Sequence, residues 1–302
     1  MRKTTITALL MIATTLSVSA QVDAPRLGFV IDGTQIQSVT GVPGVAVLTP
    51  LRDLSANLIT ASPKQDYLLA VPADATGLLV LSPNGRKDSD RLLLPDVTGI
   101  DAIVFSARGS AVAIRRGARV DILSGLPQSA DIAQTFDLSF AGSDPATLSV
   151  SDDGSSILVV ASASAYRMDA SGMSRLPVEA VLAGAFLPRS RDVAIASQDK
   201  VTILRDGDTA EFATPGVSAK SLFATSRFAI AFDRDFIVID LKTGQSTRLT
   251  PDAEPKAVQA AGDVLFFLGD DGWSAVDLTE PDPRLTRVPK RYTPDTETAV
   301  AQ

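Results

Sequence analysis

The sequence contains no cysteine and no histidine. These two absences exclude thiolate nucleophiles, Ser-His-Asp triads, imidazole ligation of zinc or haem, and cysteine-held iron–sulfur clusters. Only carboxylate, Lys, Tyr and Ser/Thr chemistry survives, and neither a cofactor nor a tightly bound transition metal is expected. Tryptophan occurs once, at Trp273. No segment beyond the N-terminal leader has 18 consecutive apolar residues, so no transmembrane segment is expected in the mature chain. Positive charge is also the minority: 28 Lys and Arg face 35 Asp and Glu, a formal net charge of -7. Such a chain lacks the electrostatic footprint for phosphate backbones, which argues against nucleic acid as a partner. Apolar residues are not scarce. At 45% of the chain they suffice for a packed core, and global disorder is not expected.

Residues 1–20 read as an address. Arg2 and Lys3 form a short positive region, Ile6 to Val18 carries no charge, and Val18-Ser19-Ala20 ends the segment with small residues. This three-part pattern is that of a secretory signal peptide cleaved between Ala20 and Gln21. The apolar stretch is short for a bilayer span of about 20 residues. Without cysteine a lipid-anchored leader is excluded. The expectation is therefore an exported protein, periplasmic or extracellular, with one domain over 21–292. Residues 293–302 form a tail that is either disordered or a ring-closing strand.

From residue 27 onward, short runs rich in Val, Ile, Leu and Phe alternate with Gly, Pro, Asp and Ser clusters, as at 27–31, 67–71, 157–160, 236–239 and 264–268. Such runs, bounded by turn formers, are strand signals. Two weak helical candidates cover 130–136 and 178–185. No β-α-β alternation is present, so a doubly wound or α/β-barrel fold is not expected.

The strands repeat. A short apolar run ending at Ser62, Ser106, Ser151, Leu187, Ala224 or Ala261 precedes a turn and a second apolar run. The spacings of these anchors, 44, 45, 36, 37 and 37 residues, match a four-stranded propeller blade, roughly 40–45 residues in the best-known example. A single blade cannot bury both faces and must stack on neighbours around an axis. The fold class is thus all-β: a β-propeller of four-stranded antiparallel blades, seven rather than six. The hairpin of 27–31 with 35–40 reads as the outer pair of a further blade, with ring closure mixing strands from both termini.

Ser151-Asp152-Asp153-Gly154 and Ser62-Pro63-Lys64-Gln65 resemble degenerate forms of the Ser-Pro-Asp-Gly turn in TolB-like and WD-like bacterial propellers. Ile239-Asp240-Leu241-Lys242-Thr243-Gly244-Gln245 is similar to the outer-hairpin turn of YVTN-type and quinoprotein-type propellers. No Gly-His or Trp-Asp dipeptide occurs, and the quinoprotein tryptophan pattern is missing. The resemblance implies a scaffold, and propeller scaffolds host many unrelated functions.

Candidate chemistry is sparse. Asp270-Asp271 beside Trp273 suits a cation or a sugar, but Asp-Gly is also a strong hairpin signal. Asp152-Asp153-Gly154 has the same two readings, and neither fits a calcium-binding loop. Arg115 and Arg116, with Arg119, form a basic turn. Arg189 and Arg191 are read at the corresponding connection two blades on. Arginine forks grip carboxylates and phosphates, so the four residues Arg115, Arg116, Arg189 and Arg191 are the candidate rim for a protein or small anionic partner at a ring face. The bland alternative is a pair of solvated turns. Longer connections at 41–57 and 124–145 are further candidates, because rigid rings present such loops. The reading that accounts best for these features is a non-catalytic binding or interaction module. Its alternative is a propeller enzyme of the lactonase, lyase or glycosidase class, since glycosidases need only paired carboxylates.

Overall fold

The computed structural model describes residues 25–42, 45–74, 76–82, 90–142, 147–206 and 208–289. Within them lie seven antiparallel sheets, six of four strands and one of three. Blade 1 comprises β1 (Arg26–Asp32), β2 (Gln35–Thr40) and β3 (Val47–Asp53). Blades 2 to 7 follow in sequence order over 56–93, 102–137, 147–175, 183–213, 221–249 and 257–287. One three-residue 3-10 turn, Ser139–Ala141, is the helical content described.

The core explains why strands here are continuous apolar runs rather than alternating ones. The second strand of each four-stranded blade is sandwiched between two neighbouring sheets, so both of its faces are covered. Ser156–Ala161 and Phe228–Phe232 are buried at every position, whereas the outer strand Gly172–Arg175 is exposed at every position. The buried side chains separate into seven clusters, each spanning two consecutive blades. One of them joins blade 7 to blade 1 through Trp273, Phe266, Val30 and Leu48, so the series is closed. Seven sheets with seven interfaces make a seven-bladed β-propeller, as the repeat spacing predicts.

The anchors of the repeat are the ends of the innermost strands. At Ser62, Ser106 and Ser151 the backbone carbonyl accepts from the residue three positions on, Gln65, Gly109 and Gly154. The serine hydroxyls are enclosed in these turns. Ser106 Oγ accepts from the N–H groups of Ser110 and Ala111, and Ser151 Oγ from that of Ser156. Thr225 plays the same part in blade 6, accepting from Phe228 N–H at 3.0 Å. A buried hydroxyl saturates turn donors that would otherwise be orphaned in the ring interior. The turns at Ser62, Ser106 and Ser151 share one closure, the serine N–H donating to the carbonyl five residues on, while that at Thr225 closes over three residues, and these first turns lie together on one face of the ring.

Blade 1 departs from expectation. Its hairpin is not an outer pair: β1 is the inner edge of its sheet and packs beside the innermost strands of blades 2 and 7. Nor is 41–57 an interruption, because it contains β3. Pro50 conceals that strand in the sequence. Its missing N–H is tolerated because β3 is an edge, where no partner strand needs it. Leu48, two residues earlier on the same edge, donates its N–H to Pro289 O at 3.0 Å. The inner edge of β1 is closed by side chains. Gln259 of blade 7 accepts from Ile31 N–H and donates to Ile31 O, while Gln65 of blade 2 accepts from Phe29 N–H at 2.7 Å. Gln65 also donates to Ala260 O, and Gly262 N–H donates to Pro63 O. Blades 7 and 2 thus meet directly in front of β1, and no described sheet mixes strands from the two ends of the chain. The possible closing strand at 293–302 lies outside the described residues.

Both helical candidates are strands or loops. Residues 130–136 fall mostly in the outer strand Asp131–Asp137 of blade 3, and 178–185 is a connection leading into Ala183–Phe186. A short apolar run cannot be assigned a period, and the sheet environment decided both.

Candidate functional site

The candidate arginines fall on opposite faces. Arg115 and Arg116 end the second strand of blade 3, so they face the start of the innermost strand, with Arg115 opposite Ala102. Arg189 and Arg191 lie in the first turn of blade 5, between its innermost and second strands. Antiparallel strands place successive turns at alternate ends of a sheet, so these two connections do not correspond. The four arginines share no rim.

On the Arg115 face the cations are consumed. Arg115 pairs with Asp101. Arg116 bonds Asp121, whose side chain is fully buried. Arg119 Nε donates to Asp121 Oδ1 at 2.8 Å, and Thr135 Oγ1 donates to the same oxygen at 2.6 Å. Burial alone would push the Asp121 carboxyl up, but donation by Thr135, Arg119 and Arg116 outweighs it and holds the group below the usual carboxylate range. This is a structural network around a buried charge and not an open grip.

On the first-turn face the arrangement differs. Asp152, in the first turn of blade 4, accepts from Arg108 N–H of blade 3 at 2.9 Å and from Arg189 N–H of blade 5 at 2.8 Å. Ser110 Oγ donates to Asp152 O. One turn therefore clamps the backbones of both neighbours and sets the side chains of Arg108 and Arg189 on either side of it. Both side chains are exposed and make no hydrogen bond or ion pair among the described residues. Arg191 reaches Asp153 Oδ2 at 3.2 Å. Burial raises the Asp153 carboxyl, and bonds from Ser151, Ser155 and Arg191 more than reverse this, leaving it well below the ordinary range. These residues surround an open depression of about 480 Å³. Arg108 was legible in the sequence as the third residue of the Ser106 turn, but only once that turn was matched to Ser151–Gly154.

Arg189 holds a left-handed backbone, φ 61°. Glycine stands in that region in the first turns of blades 3 and 4, at Gly109 and Gly154. A left-handed residue with a Cβ costs roughly 1 kcal/mol. Arg189 stands one place earlier in its turn than those glycines; at their own position in blade 2 stands Gln65, φ 60°, whose left-handed backbone is accounted for by the bonds its amide makes across the closure. No contact of the Arg189 side chain offsets its strain. Arg189→Gly is therefore expected to raise stability by about 0.5–1 kcal/mol, read as a higher urea midpoint. A lower midpoint would show that the arginine side chain stabilises the turn.

The central channel is a second depression, about 330 Å³, lined by the innermost strands of blades 2 to 7. Its walls include Ile103, Leu148, Phe223 and Val258 with Thr60 and Ser221, and none of its lining residues is charged. The acidic pair beside the tryptophan does not assemble. Asp270 bonds Lys256 at 2.6 Å and Asp271 lies near Arg287, while Trp273 is turned into the interface with blade 1. Among the described residues no group of three or more acidic side chains is placed to hold a metal ion, and no helix is long and apolar enough to cross a membrane.

The class defined by this ring is a seven-bladed β-propeller, one that presents Arg108 and Arg189 on its first-turn face without ion pairs among the described residues. No protein-family model and no curated protein sequence matches the chain. Among solved structures it is similar to the hydrazine synthase of Kuenenia stuttgartiensis, with 13% identity and a TM-score of 0.46 over 62% of this chain and 65% of that one. It is also similar to the Cps50 (Swd1) β-propeller domain of Myceliophteria thermophila, with 14% identity and a TM-score of 0.45 over 62% of this chain and 71% of that one. At such identities the likeness concerns fold alone.

Proposed function

We propose that the protein is an exported, non-catalytic binding module that captures an anionic partner on the first-turn face of its ring. The observation that carries this reading is the pair Arg108 and Arg189, exposed, unpaired, and fixed from behind by the Asp152 clamp. A rigid turn fixes the points from which the two guanidinium groups reach, and two of them around one depression suit a carboxylate-bearing ligand. The neutral channel supports the non-catalytic half, because its lining offers neither a carboxylate nor a lysine for acid–base work. Export rests on the leader pattern of residues 1–20.

The test uses citrate as the anionic probe in titration calorimetry. Replacing Arg108 and Arg189 together by Ala is expected to weaken binding about tenfold or more, with the melting temperature little changed, since exposed charges contribute little to stability. Arg115→Ala, on the opposite face, is expected to leave citrate binding unaltered. Equal binding by the double variant would overturn the reading. Turnover of a lactone or glycoside, abolished by replacing one carboxylate in a protein that still folds, would overturn the non-catalytic assignment.

A further inference from the structure

The depression at Arg108 and Arg189 does not end at the first turn of blade 5. Arg191 lines it and also lines a second depression of about 280 Å³ between the outer halves of blades 4 and 5. That groove has an apolar floor, Leu176, Val193 and Leu204, and a fringe of Arg167, Arg191 and Arg205. Arg167, on the third strand of blade 4, is half-buried, and its Nε is out of contact with solvent and without a hydrogen-bond acceptor among the described residues. A desolvated guanidinium N–H left without an acceptor is costly, and a bound oxygen would relieve that cost. The nearby Asp169 does not supply one. Its carboxylate accepts from the Ser171 hydroxyl and N–H at its own turn, and the charges of Arg167 and Arg191 help to hold it low without a hydrogen bond to Arg167 Nε.

We propose that this groove, continuous with the arginine turns, accepts an extended acidic peptide segment of a protein partner. The proposal rests on the anion reading above and specifies the partner. Three features select a peptide over a small anion. The run from Arg108 in blade 3 to Arg205 in blade 5 crosses three blades. Its floor is apolar where its fringe is cationic, which suits carboxylates alternating with aliphatic side chains. Of the five arginines along it, Arg191 and Arg205 have carboxylates of their own in Asp153 and Asp192, whereas Arg108, Arg167 and Arg189 form no ion pair among the described residues and are open to the carboxylates of a ligand. The chain as a whole carries a net charge of -7. The same overall charge disfavours a nucleic acid, whose phosphates would be repelled beyond the groove.

The experiment follows fluorescence anisotropy of a labelled decapeptide of alternating Glu and Leu, with an alternating Lys and Leu decapeptide and unlabelled citrate as comparators. The wild-type protein is expected to bind the Glu/Leu peptide and not the Lys/Leu peptide. Arg167→Ala is expected to weaken the Glu/Leu peptide about tenfold or more while citrate binding persists. Because Arg167 is half-buried, Arg205→Glu, at an exposed position, provides the same reading should Arg167→Ala fail to fold. Citrate binding without peptide binding, or peptide binding unaffected by Arg205→Glu, would overturn the groove and leave the arginine turns standing. Peptide binding that is sensitive to Arg205→Glu, without citrate binding, would uphold the groove and remove the turn pair as an independent anion site. Binding of neither probe would overturn both.

Discussion

Trp273→Ala is expected to cost about 3–5 kcal/mol, the range for emptying a large aromatic site in a packed core. For a domain of this size that corresponds to a fall in melting temperature of roughly 10 °C. The residue is 1% exposed and packs against Val30, Leu48 and Val288 where blade 7 meets blade 1. Trp273→Phe separates packing from hydrogen bonding. The indole Nε1 has no hydrogen-bond partner among the described residues, so its loss removes no bond, and the smaller ring is expected to cost no more than about 2 kcal/mol. A phenylalanine variant as unstable as the alanine variant would show that the N–H matters. As the sole tryptophan, Trp273 also reports its own site, and its emission should shift to the red in the transition that opens this interface.

Asp121→Ala is expected to lower stability by about 3 kcal/mol. Removing one partner of a buried ion pair usually costs ~3–5 kcal/mol, and the lower end applies because Arg119 is half exposed and regains water. Thr135 and Arg116 lose their acceptor in the same change. The network also has a pH signature. The Asp121 carboxyl lies below its unfolded value, so its stabilisation is fully present above about pH 4 and is lost as pH falls through the folded value. Asp121→Asn should therefore narrow its stability gap to the wild type between pH 7 and pH 3 in urea titrations. A gap that stays constant over that interval would mean that this carboxylate contributes no proton linkage. Asp153, lowered for similar reasons, contributes to both proteins and cancels in the difference.

The ring was legible because its inner and second strands are apolar runs punctuated by short turns, hydroxyl-bearing at Ser62, Ser106, Ser151 and Thr225, and that rhythm survives drift. Blade 1 was misread where chemistry is borrowed from elsewhere. Pro50 breaks a strand pattern unless the edge it occupies is known, and two glutamine amides stand where a sequence gives no reason to expect backbone partners. The arginine cluster was half visible. Arg189 and Arg191 are apparent as a charged turn, but pairing them with Arg115 and Arg116 ignored the reversal of direction between successive strands. Arg108 and Arg167 become interesting only through what surrounds them. One has its backbone held by Asp152, and the other keeps a buried N–H without an acceptor. Neither condition is local in sequence.

The closure at which blade 7 meets blades 1 and 2 bears on how the chain can be cut. Its described contacts are the apolar cluster around Trp273, the amides of Gln65 and Gln259, and two backbone bonds, Gly262 to Pro63 and Leu48 to Pro289. Every described sheet is continuous in sequence, so each connection between blades is a point at which new ends would leave all sheets whole. A circular permutant opened between blades 4 and 5, with the original ends joined by a flexible linker, should therefore assemble the same ring. It would also split the groove's two walls between the new termini, turning a site within one chain into a junction between its beginning and its end.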